Sequence, residues 1–155
     1  MQDRFRFRAW NFKENKYYQQ NEKGMFKLGG ELPNGTPVGV LCGVEDLTNN
    51  RNYGKNFVVE QCTGLKDKNG KLIYEGDIIK VTSPKNWNIF DEYSNSEILG
   101  KGVVVTKPGC AFIKKNDIDG EEKKYYFALY SVVEDADVEV VGNIHENPEL
   151  LEEDK

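Results

Sequence analysis

Histidine is nearly absent from this chain: His145 is the only one, beside three widely spaced cysteines, Cys42, Cys62 and Cys110. Zinc sites need Cys/His pairs at short spacing, and this set cannot supply them. Triad chemistry usually needs a histidine base. His145 lies in a terminal turn beside "ENPEL", and no "GxSxG" occurs. An odd, scattered set of cysteines in a reducing compartment reads as small buried hydrophobes, not a disulfide framework. No apolar run approaches the roughly 18 residues of a membrane span. The first ten residues, "MQDRFRFRAW", carry charge where a secretory signal is greasy, so the expected location is cytoplasmic. Positive charge is in deficit, with 21 Lys and Arg against 26 Asp and Glu, a net charge of -5. That balance opposes nucleic acid and anionic membranes on average, unless a local basic patch overrides it.

What is present points to a folded domain. The 155 residues include 8 Tyr, 8 Phe and 2 Trp, which disordered chains usually lack. A chain of this size needs no metal or disulfide staple, and a single domain over residues 1–155 is the expectation. A soft internal boundary falls near Asn56, where a looping, β-containing N-terminal third gives way to regular strands over 57–155.

Short alternating runs carry the fold class. In "RFRFRAW", Phe5, Phe7 and Ala9 point one way and Arg4, Arg6, Arg8 and Trp10 the other, which predicts a half-buried strand. Further strands are expected near Lys16–Gln19, Met25–Leu28 and Val38–Leu41, and along "NFVVEQCTG", "KLIY", "DIIKVT", "KGVVVT", "AFIKK", "YYFALYSVV" and "ADVEVVGNI". Asn69-Gly70 is a strong two-residue hairpin signal and predicts a type I′ turn. Gly76 and Asp77 predict a bend, and adjacent Ile78 and Ile79 a strand covered on both faces. Ser83–Gly100 reads as an irregular excursion. Pro148 suits the first position of a short final helix. The expected fold is mainly β, a barrel or roll of short antiparallel strands with long loops and little helix.

Three blocks occur in order: "FRAW" followed by Asn11, "TGLKDKNGKLIYEGDIIKV" from Thr63, and "VEVVGNIHENPELL" near the end. Together they resemble the YopX-like proteins of phages and prophages. Those proteins typically carry an F-R-A-W-D-like start, a T-G-L-x-D-x-N-G-x-x-I-Y-E-G-D-I centre and a V-x-V-I-G-N-I-Y-E-N-P-E-L end. Asn11 stands where Asp is usual, and His145 where Tyr is common. The resemblance implies a β-rich fold and a phage or prophage origin in a bacterial host. It implies no enzyme activity, no cofactor and no catalytic residues.

The remaining chemistry is sparse. A calcium loop with Gly70 sixth would place Leu65 first and Gly76 last, losing both end ligands. One with Gly120 sixth would place Lys115 and Tyr126 there. Gly54-Lys55, Gly70-Lys71 and Gly100-Lys101 lack the rest of a phosphate loop. The expectation is no metal and no catalytic site. Arg4, Arg6 and Arg8 form a row about 7 Å apart, with Trp10 able to stack a base. That row is one candidate nucleic-acid face. The preferred reading pairs it with Asp135, Asp137 and Glu139, within the chain or between subunits. Tyr126, Ala128 and Tyr130 share one face of a strand, a candidate interface. The expected function is a non-catalytic binding module whose partner is itself or a host or phage macromolecule. An alternative is an enzyme with Trp87, Asp91 and Glu92 lining a cleft in the 83–100 excursion.

Overall fold

A computed structural model describes residues 6–21, 24–31, 37–42, 56–84, 99–116 and 124–152. The chain is mainly β, as its alternating runs predict. By its contacts it divides into two compact units, Met1–Cys62 and Thr63–Lys155, and the division falls inside one strand.

In the first unit, β1 (Phe7–Asn11) pairs antiparallel with β2 (Lys16–Gln19) and with the start of β5 (Phe57–Lys66). Strands β3 (Phe26–Glu31) and β4 (Pro37–Cys42) form a separate ladder that continues past Leu28, where the expected strand ends, through Gly29 and Gly30. Ala9, Tyr18 and Phe26 are buried together, with Phe7, Phe57 and Val59 against them. The turn into β2 is held by Asn11, whose Oδ1 accepts from the backbone N–H groups of Lys13 and Glu14 at 2.9 and 3.2 Å. An Asp at this position would offer the same acceptor.

In the second unit, the end of β5 pairs with β6 (Leu72–Tyr74). Then β7 (Asp77–Pro84), β8 (Gly100–Lys107), β9 (Cys110–Asn116), β10 (Lys124–Ala128) and β11 (Ala136–Asn143) form a sheet of order β10-β9-β8-β7-β11. Its inward face carries Ile79, Val81, Val104, Ile113 and Val138, packed with Ile73. Ile78 and Ile79 are both 0% exposed, so β7 is covered on both faces. Pro148 opens a short 3-10 helix, Pro148–Leu151.

Two expectations fail here. The run "YYFALYSVV" is not one strand. It leaves the sheet at Ala128 and becomes helix α1 (Leu129–Asp135). Its aromatic and β-branched residues favour strand. Leu129 and Val132, three residues apart, nevertheless share one helical face, buried in the core beside Ala136 at the start of β11. The Asn69-Gly70 turn is not type I′ either. Asn69 keeps a negative φ, and Gly70 alone takes φ +82°. Gly70 N–H donates to Asp67 O, and Asp67 N–H to Lys71 O, both at 2.9 Å. This is a three-residue loop with glycine in the left-handed position.

Gly102 is where the inward face is tightest: a Cβ there would lie 2.5 Å from Ile113 Cγ2. Gly102→Ala is therefore expected to lower stability by about 1–3 kcal/mol, read as a reduced urea midpoint with unchanged slope.

Candidate functional site

Arg8 does not belong to an exposed arginine row. Arg4 lies outside the described residues, and Arg6 is exposed. Arg8 is buried, its Nε 2.7 Å from Oε2 of equally buried Glu60. Their register explains the pairing, because Arg8 and Glu60 are directly opposite on β1 and β5. Tyr17 Oη donates to the same Glu60 oxygen at 3.0 Å, and its ring stacks 4.4 Å from the Arg8 guanidinium. Trp10, 4% exposed, meets Tyr17 edge to face with centroids 4.9 Å apart. The sequence shows the alternation but not that both faces of β1 are covered. Glu60, the missed residue, sits in an apolar strand as its only acid. That is a legible sign of a buried partner.

In the described strand registers, neither Asp137 nor Glu139 is opposite an arginine. β1 pairs with β2 and β5, and β11 with β7. Asp135 belongs to α1. Glu139 instead meets Lys68 at 2.6 Å, which raises the Lys68 pKa. At the first turn, hydrogen bonds from Lys16 and then Tyr18 lower the Glu14 pKa, and Lys16 is pushed up to about 12 by its bond to Glu14.

The polar residues of the central and final blocks serve turns. Asp67 Oδ1 accepts from Asn69 and Lys71 N–H, each at 2.9 Å, and Oδ2 accepts from Val140 N–H at 3.0 Å. Lys68 N–H reaches Val138 O at 2.8 Å. Gly76 takes φ +78°, and buried Asp77 accepts from Tyr74 N–H at 2.8 Å, fixing the bend. Asn143 Oδ1 accepts from His145 and Glu146 N–H. His145 joins this turn through its backbone, so Tyr there would leave the bond intact. Gly142 admits the last segment: a Cβ would lie 2.7 Å from Asn147 Oδ1 and 2.9 Å from Leu150 Cδ1.

The three sequence blocks are thus strand, hairpin and turn, and the family model for the YopX protein matches residues 6–152. The chain belongs to the YopX family. It is also similar to the crystal structure of protein EF1440 from Enterococcus faecalis, with 26% identity and a TM-score of 0.51, over 94% of this chain and 96% of that one. No curated protein matches it.

Aromatic and basic residues stand together on part of the surface of this YopX-family chain. Tyr126 is 43% exposed and Tyr130 62%. They do not share a strand face, because α1 takes Tyr130 out of the β10 alternation. Lys107 Nζ lies 4.0 Å from the Tyr126 ring centre and 5.6 Å from that of Phe112. Cys110 is exposed, unlike Cys62, so one cysteine does not fit the buried reading. Residues 85–98, with Trp87, Asp91 and Glu92, lie outside the described residues.

Two substitutions test the polar frame. Asp67→Asn would turn an NH2 toward one of three donor N–H groups and is expected to cost about 1–3 kcal/mol in denaturant unfolding. Arg8→Met strands the Glu60 carboxylate and is expected to cost about 3–5 kcal/mol, whereas Arg8→Met with Glu60→Leu recovers most of that loss in the same measurement.

Proposed function

We propose that the chain is a phage-type accessory protein of the bacterial cytoplasm that works as a non-catalytic binding module. The carrying observation is the division of labour among its polar and aromatic groups. Arg8, Glu60, Asp67, Asp77 and Asn143 are buried and engaged in ion pairs or turns. Tyr126 and Phe112 stand outward on one sheet with lysine beside them. An exposed tyrosine beside a lysine and a half-buried phenylalanine supports contact with a macromolecule better than it supports catalysis. Membership in the YopX family supports the phage setting. Among the described residues, no helix is long and apolar enough to cross a membrane.

Affinity capture from lysogenic host lysate, followed by sizing of the purified protein, tests the reading. A retained partner, or a self-assembled species, that is lost on Tyr126→Ala is the expected result. A monomer that captures nothing would overturn it.

A further inference from the structure

The register of the five-stranded sheet assembles a face that the sequence scatters over almost fifty residues. Lys80 is opposite Lys101, Val103 opposite Lys114, Lys114 opposite Tyr126, and Val105 opposite Phe112. All are outward positions, because the intervening Ile79, Val104 and Ile113 fill the core. Lys107 ends the same alternation on β8. Lys80, Lys101, Lys107 and Lys114 therefore occupy outward positions of β7 to β10, and no acid stands among the outward positions described there. Asp137 and Glu139 are confined to the flanking β11, where Glu139 is opposite Lys80 and bonded to Lys68. Lys101 Nζ also donates to Leu150 O at 3.2 Å, which ties down that end of the face. The open part is Lys107, Phe112, Lys114 and Tyr126.

We propose that this part of the sheet binds single-stranded nucleic acid. The proposal deepens the binding-module reading and rests on it. Charge complementarity selects the partner. A cluster of lysines with no acid among the described outward positions of its strands attracts a polyanion, even on a chain of net charge -5. Aromatic rings between the lysines select a strand whose bases are exposed. A base can stack on Tyr126 while Lys107 and Lys114 meet the flanking phosphates, a combination tolerant of sequence. A paired duplex hides those base faces. Lys107 already caps the Tyr126 and Phe112 rings as a cation, and a stacked base would displace it toward a phosphate.

The test is fluorescence anisotropy with a labelled oligothymidylate across a salt series, using the full chain. Wild type should bind at low salt. Tyr126→Ala should weaken binding about five-fold or more. Lys107→Gln with Lys114→Gln should flatten the slope of log affinity against log salt by about 1.4. Lys13→Gln with Lys71→Gln, which changes net charge equally on exposed turns, should leave affinity near wild type. Thermal melts of each variant show whether the fold is kept. No binding at low salt, or binding that the face variants leave unchanged, overturns the proposal. If the oligonucleotide fails but a protein from lysate is captured and lost on Tyr126→Ala, the nucleic-acid assignment falls and the binding-module reading stands. If neither binds, both fall.

Discussion

The carboxylate of Asp67 holds two distant stretches of the second unit in one arrangement. One oxygen organises the loop at the tip of the β5–β6 hairpin, and the other accepts from Val140 N–H on β11, 73 residues later. That bond lies just before the β11 irregularity between Val140 and Gly142. A hydrogen bond to a charged acceptor is stronger than a neutral one, and burial removes competing water. Around it, Lys68 N–H to Val138 O and Ile144 N–H to Gly76 O close the frame. The β7 strand, the bulge of β11 and the final turn at Asn143 are all set relative to that hairpin tip.

This explains why the most recognisable blocks of the chain hold no free chemistry. Asp67, Asn69 and Gly70 look like the middle of a cation loop, yet both Asp67 oxygens are taken by backbone donors. Asp77 and Asn143, cross-strand neighbours at the start of β7 and the end of β11, are spent on the same kind of task. In the first unit, Glu60 plays a comparable part for Arg8 and Tyr17. A surface free to meet a partner must therefore be sought on positions with little structural duty, such as the outward residues of β8 to β10.

Much of the strand pattern was legible beforehand. Period-two runs place strands because successive side chains face opposite sides, and glycine marks bends because left-handed backbone costs it little. Adjacent Ile78 and Ile79 announced a strand covered on both faces. The candidate surface was less legible. Tyr126 and Tyr130 are both exposed, as expected, but the chain between them changes from strand to helix. Arg8 and Trp10 alternate as surface residues would, and are nonetheless buried.

By itself, then, the sequence determined the β class, the turn positions and family membership, because those rest on local periodicity, backbone preference and ordered blocks. Tertiary structure decided the rest. Leu129 and Val132 become helical because the open side of the sheet offers apolar contact to one helical face, outweighing strand propensity. Arg8 becomes a core residue because β5 delivers Glu60 opposite it, and an isolated strand cannot show its neighbour. Lys101, Lys107, Phe112, Lys114 and Tyr126 become one face only through the register of three strands, since proximity across a sheet is a property of pairing and not of order along the chain.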